Sequence, residues 1–77
     1  MRVAVKVTGH LIDLCKVTHV DLEDGASIDA ALSALGIPSN QVGLVSVNGE
    51  AVSKAKRSVV LLKENDEMVV MAPLTGG

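Results

Sequence analysis

The last six residues of the chain, Ala72-Pro73-Leu74-Thr75-Gly76-Gly77, are the stretch whose residue types could take part in chemistry. Pro73 has no backbone N–H, so it should release the chain from the strand that precedes it. Two glycines without side chains can enter a narrow channel and present the terminal carboxylate to a reactive atom of another molecule. The same ending would also fit a frayed terminus or a remnant of cloning. The rest of the chain has to decide between these interpretations.

No other group of side chains in the sequence indicates catalysis. His10 and His19 are the only histidines, and nothing near them completes a set of metal ligands, so we expect both on the surface. Cys15 is the only cysteine, which excludes an internal disulfide and favours a small buried apolar residue over a nucleophile. The glycines outside the tail are explained by turns or a helix cap rather than by a phosphate-binding loop. We therefore predict no catalytic residues, no metal and no cofactor.

The composition narrows the possible partners. With 77 residues, 48% of them hydrophobic and 21% charged, the chain should form one globular domain. A net charge of −2 and the absence of Phe, Tyr and Trp argue against binding to nucleic acids, which needs a basic surface and usually aromatic stacking. No apolar run approaches the ~20 residues of a membrane span, and a signal-peptide pattern is missing. These features predict a cytoplasmic protein without nucleic-acid or membrane partners.

The first half of the chain predicts two strands and a helix. Residues 1–8 alternate between an apolar and a mainly polar face. Residues 14–22 form a second predicted strand, whose start is left open between Leu11 and Cys15. Ser27 is a suitable N-cap for a helix that ends at Leu35, before a C-terminal glycine and a proline. Its apolar residues have the spacing of one helical stripe; they are Ile28, Ala31, Leu32 and Leu35.

The second half predicts a hairpin and a last strand. Residues 42–47 form a third strand, and Asn48-Gly49 is a strong signal for a tight turn into a short strand at Ala51-Val52. Residues 53–58 carry three positive charges and are expected to be a solvated loop. Residues 67–72 form the last strand, preceded by a turn in which Asn65 suits a left-handed backbone.

This order of elements predicts an α+β fold, a mixed sheet of four or five strands with one main helix packed on one face. The first and last strands can lie parallel at its centre, with the hairpins outside. Both faces of the last strand are apolar, so the face with Val69 and Met71 is either covered or a docking surface. The predicted core is the set Val3, Val5, Val7, Val20, Leu22, Ile28, Leu32, Leu35, Val47, Leu62, Met68 and Val70.

Three segments make the chain resemble a known family. Residues 45–50 (VSVNGE), 62–68 (LKENDEM) and 73–77 (PLTGG) look like the β-grasp sulfur carriers, relatives of ubiquitin. These include the small subunit of molybdopterin synthase and the sulfur carrier protein of the thiamine pathway. The family usually has glycine where Asn65 stands, and the Pro-x-Thr-Gly-Gly ending is more like the molybdopterin branch.

The resemblance implies a β-grasp domain at residues 1–73 with a flexible tail at residues 74–77, and a protein that is a substrate rather than an enzyme. In the family, an adenylyltransferase related to ubiquitin-activating enzymes couples the terminal carboxylate to AMP. A sulfur donor then forms a thiocarboxylate, which supplies sulfur to a synthase in cofactor biosynthesis. Gly77 would carry the sulfur, and Gly76, Thr75 and Leu74 would contact the channel of the enzyme. We expect Val69 and Met71 to face the partner.

Two other functions fit the same sequence. A ubiquitin-like modifier would use the same activated carboxylate to join its terminal glycine to lysines of target proteins. A non-catalytic β-grasp binding module would share the order of elements but would not need a free Gly-Gly end. Molybdopterin or tungstopterin synthesis is the favoured acceptor pathway, with thiamine synthesis next.

Overall fold

A computed structural model describes residues 1–73 of the chain. It contains five strands and two α-helices. Their bounds are β1 Arg2–Val7, α1 Leu11–Leu14, β2 His19–Asp21, α2 Ile28–Leu35, β3 Leu44–Val47, β4 Glu50–Val52 and β5 Glu67–Met71. Two short 3-10 turns, Ser39–Gln41 and Lys54–Lys56, lie in the connections.

The strands form one mixed sheet in the order β2-β1-β5-β3-β4. The first and last strands pair in parallel at its centre, with Val5 opposite Met68. The remaining neighbours are antiparallel, β1 with β2 and β3 with both β4 and β5. The predicted α+β architecture is confirmed, and the number of strands is five.

Helix α2 begins and ends where its caps predict. The Ser27 hydroxyl accepts a hydrogen bond from the Ala30 backbone N–H at 3.1 Å, and Gly36 has the left-handed backbone of a C-terminal cap. The side chains of Ile28, Ala31 and Leu32 are buried in the core. A helix of only eight residues would be marginal alone, so this packing must stabilise it. No helix within residues 1–73 has the length and apolar character needed to cross a membrane.

The core lies on the α2 side of the sheet. Of the residues predicted for it, the following are buried: Val3, Val5, Ile28, Leu32, Leu62, Met68 and Val70. The others are half-buried and pack against the cluster: Val7, Val20, Leu22, Leu35 and Val47. The prediction omitted further buried residues: Leu11, Cys15, Ala31, Ile37, Val42, Val45 and Val52. Cys15 is outside that predicted core set, but its burial is predicted separately from its residue type and is confirmed.

The prediction of a long second strand was wrong. The run from Leu14 to Leu22 contains only the three-residue strand β2, and the short helix α1 precedes it. Leu11 is fully buried and Cys15 nearly so, and they are four residues apart, which places them on one side of a helical turn. Leu14, placed on a strand face by the alternation, is 54% exposed.

The loop at residues 53–58 is solvated only in part. Lys54 and Lys56 are exposed, but the side chain of Arg57 is 2% exposed. Its Nη2 lies 3.5 Å from the Gly43 carbonyl oxygen, and its Nε has no hydrogen-bond partner among the described residues. The expectation of a wholly solvated charge cluster was therefore wrong at Arg57.

Candidate functional site

The site begins at β5, the strand from which the chain continues toward the two terminal glycines. Met68 and Val70 are buried on the core side, so Val69 and Met71 lie on the opposite side of the sheet, where both are half-buried. Val69 stands opposite Lys6 of β1 and Ser46 of β3, and Met71 stands opposite Leu44. We call Leu44, Val69 and Met71 the outer patch.

The last hydrogen bonds of the sheet hold the end of β5 from both sides. The Thr8 N–H donates to the Val70 carbonyl at 3.1 Å, and the Gly43 N–H donates to the Met71 carbonyl at 2.8 Å. Strand β5 ends at Met71, and Ala72 and Pro73 follow it. Because Pro73 lacks an N–H, it cannot extend the ladder.

An apolar groove lies beside this strand end. Its volume is about 490 Å³, and it is lined by Thr8, Gly43, Leu44, Met71, Ala72 and Pro73. None of these residues is ionisable, so the groove is suited to an apolar side chain and not to acid–base chemistry. Thr8, Gly43 and Leu44 could not be predicted from the sequence, because they come from other segments and reach the groove only through strand pairing.

His10 and His19 are exposed, and within residues 1–73 no group of three or more His, Cys, Asp or Glu side chains could hold a metal ion. The predicted tail residues, Leu74, Thr75, Gly76 and Gly77, lie outside the described residues. The structure thus places Met71 in the groove at the end of β5, with Val69 two residues earlier on the same side of the sheet.

Comparison with solved structures identifies proteins that have a similar fold. A crystal structure of SAMP1 from Haloferax volcanii has 24% identity and a TM-score of 0.75, with full coverage of both chains. A second structure, of H. volcanii small archaeal modifier protein 1, has 20% identity and a TM-score of 0.72, covering 95% of this chain and 98% of that one. The solution structure of Urm1 from Trypanosoma brucei has 16% identity and a TM-score of 0.60, covering 99% and 95%. At these identities the likeness establishes the ubiquitin-like β-grasp fold.

Sequence comparison identifies the family to which the chain belongs. No curated protein gave a significant match to the sequence. The model of the ThiS family matches residues 5–77, which is nearly the whole chain and includes the Gly-Gly end. The chain therefore belongs to the ThiS family of β-grasp sulfur carriers.

Proposed function

We propose that this protein is a sulfur carrier in cofactor biosynthesis, with Gly77 as the residue that is adenylated and then carries sulfur as a thiocarboxylate. The observation that carries the proposal is the family match over residues 5–77, because it includes both the domain and the terminal glycine pair. The protein is then a substrate of its partners rather than an enzyme, and it acts in the cytoplasm.

The chemistry explains the form of the tail. A carboxylate is a poor acyl donor, but attack of its oxygen on the α-phosphate of ATP releases pyrophosphate and forms an acyl adenylate. A sulfide equivalent from a sulfur donor then attacks the acyl carbon, AMP leaves, and a thiocarboxylate remains. Gly76 and Gly77 allow the backbone to approach the nucleotide closely, and Thr75 and Leu74 are left to contact the walls of the channel.

The outer patch is the surface that we propose for docking on the adenylyltransferase. Val69 and Met71 are half-buried on the side of the sheet opposite the core, and Leu44 is 40% exposed next to Met71. The groove at the end of β5 continues this apolar surface to Pro73. Docking here would place the start of the tail at the edge of the interface, and burial of apolar area would supply the driving force.

A ubiquitin-like modifier is the second candidate. The observation in its favour is the likeness to a structure described as small archaeal modifier protein 1. A modifier would use the same acyl adenylate, but a lysine amine of a target protein would take the place of sulfide and an amide would form. The two functions therefore differ after activation and not in the tail itself.

Mass spectrometry of the reaction products tests the proposal. Incubated with ATP, a cognate adenylyltransferase and a sulfur donor, the intact protein should gain the mass of one sulfur in exchange for one oxygen. A variant without Gly77, and a variant with one residue added after it, should not gain this mass although both stay folded. The product should then be given to the large subunit of molybdopterin synthase or to a thiazole synthase to identify the acceptor.

The outcomes separate the candidates. Amide linkage to lysines without a thiocarboxylate would favour the modifier. If the tail-blocked variants still support every cellular role of the wild type, both candidates fail and a binding module takes their place.

A further inference from the structure

Two glycines from different parts of the chain flank Ala72 and Pro73, where the tail begins. A Cβ atom built on Gly9 would lie 2.8 Å from the Ala72 Cβ. A Cβ built on Gly43 would lie 2.5 Å from the Pro73 Cα, 2.7 Å from the Pro73 N and 2.9 Å from the Ala72 carbonyl oxygen. The chain thus leaves the sheet between two backbone segments with no room for a side chain on either.

The glycine at position 43 is required by space and not by backbone conformation. Gly25, Gly36 and Gly49 have positive φ angles and nothing within 4 Å of a built Cβ, so their turns explain them. Gly43 is absent from the positive-φ residues, and a side chain there would collide with backbone atoms. Backbone atoms cannot rotate aside as a flexible side chain can, so the end of β5 would have to shift.

Polar contacts join the two flanking segments. The His10 Nε2 lies 2.7 Å from the Gln41 Oε1, which links the turn after β1 to the segment before β3. The Gly43 N–H donates to the Met71 carbonyl, and the buried Arg57 guanidinium lies 3.5 Å from the Gly43 oxygen. Gly43 therefore contacts β5 through its N–H and Arg57 through its carbonyl oxygen.

We propose that Gly9, His10, Gln41 and Gly43, which we call the exit collar, position the tail for adenylation. This inference rests on the proposed function and adds positioning residues to it. The collar sets the direction in which the chain leaves the sheet relative to the outer patch. Held extended in the channel of the enzyme, the four residues after Pro73 would span at most about 14 Å, so a change of about 15° in the exit direction at Pro73 would move the carboxylate by roughly 3–4 Å. An error of that size removes the oxygen from attacking distance of a phosphate.

A double-mutant cycle tests the proposal through the contact between Gly9 and Ala72. Gly9→Ala should lower the kcat of adenylation about 10- to 100-fold and leave KM within about twofold, since docking is intact and the carboxylate is misplaced. Gly25→Ala is the matched control, because it has the same kind of positive φ without a neighbour. Ala72→Gly removes the atom that Gly9→Ala would meet, so the double variant should recover most of the lost kcat.

Assays run well below each variant's unfolding temperature exclude loss of folded protein as the cause. Equal kcat for Gly9→Ala and Gly25→Ala, or a double variant no faster than Gly9→Ala, would overturn the proposal. If Gly9→Ala does not fold, Gly43→Ala takes its place, with the same expected loss of kcat at unchanged KM.

A measurement that needs no partner enzyme separates this proposal from the proposed function. Residual dipolar couplings of the Ala72 N–H bond report its orientation in the domain, and they should change in Gly9→Ala and Gly43→Ala but not in Gly25→Ala. Unchanged couplings in both collar variants would overturn the collar. Absence of adenylation in the wild type would instead overturn the proposed function and, with it, the role of the collar in adenylation. The couplings would then still show whether the collar sets the direction in which the chain leaves the sheet.

Discussion

Two asparagines adopt a left-handed backbone, Asn48 with φ 52° and Asn65 with φ 68°. The two residues differ in the hydrogen bonds that they make. The Asn48 Nδ2 donates to the Asp66 Oδ1 at 2.9 Å, and the Asn48 Oδ1 accepts from the Glu67 N–H at 2.9 Å. Asn65 instead makes its contact through its backbone N–H, which donates to the Arg2 carbonyl at 2.9 Å. Asn48 thus ties the β3–β4 turn to the start of β5.

Replacing Asn48 by glycine should show how much its side-chain hydrogen bonds contribute to stability. Glycine accepts the backbone conformation, so Asn48→Gly removes two side-chain hydrogen bonds and should lower the free energy of unfolding by about 1–2 kcal/mol. Asn65→Gly is the matched control and should change it by less than about 0.5 kcal/mol. Urea denaturation of the three proteins measures both effects. Equal losses in the two variants would mean that the backbone, and not the Asn48 side chain, sets the stability of this turn.

Among the secondary-structure elements, those with local signals were predicted well. Ser27, Gly36 and the stripe at Ile28, Ala31 and Leu32 determine α2 from residues close in sequence, so its bounds could be predicted. The start of β2 could not be predicted in the same way. Residues 14–22 can be assigned to the two faces of a strand, but burial of Leu11 and Cys15 selects one helical turn before the strand. Which of two weak periodicities prevails depends on the tertiary core.

At the same scale, Leu32→Ala tests the packing of α2. Leu32 is 3% exposed, and its truncation should lower the free energy of unfolding by about 2–5 kcal/mol. That is a large part of the roughly 5–15 kcal/mol typical of a whole domain. Ser33→Ala, on the exposed side of the same helix, should change it by less than about 0.5 kcal/mol. A denaturation midpoint of Leu32→Ala equal to that of the wild type would contradict the assignment of Leu32 to the core.

For the molecule as a whole, the sheet has one side occupied by the core and another that carries the outer patch. The sequence predicted that both sides of the last strand are apolar and placed Val69 and Met71 together. It could not predict that Gly9 and Gly43 flank the start of the tail, because that approach comes from residues far apart in the chain. Short-range patterns identify strands and caps, whereas close backbone contacts exist only after the sheet has formed.

Docking through the outer patch is the prediction that belongs to this scale. Met71→Asp places a charge in the centre of the patch, and desolvation of that charge should weaken binding to the adenylyltransferase at least about tenfold. Leu61→Asp is the matched control: Leu61 is a 55% exposed apolar residue that pairs with Ser27, outside the outer patch. Isothermal titration calorimetry measures both affinities, and circular dichroism checks that each variant is folded.

Because Met71 is half-buried, a charge at this position also perturbs β5. Leu44→Asp is therefore a second variant that tests whether the outer patch binds the adenylyltransferase. Leu44 stands opposite Met71 and is 40% exposed. A charge at this position therefore alters the outer patch and destabilises the folded domain less than a charge at Met71. Weakened binding in Met71→Asp and Leu44→Asp, with wild-type affinity in Leu61→Asp, is the expected pattern. Wild-type affinity in both patch variants would place the interface on another surface, and the tail would then have to reach the enzyme from a domain docked in a different orientation.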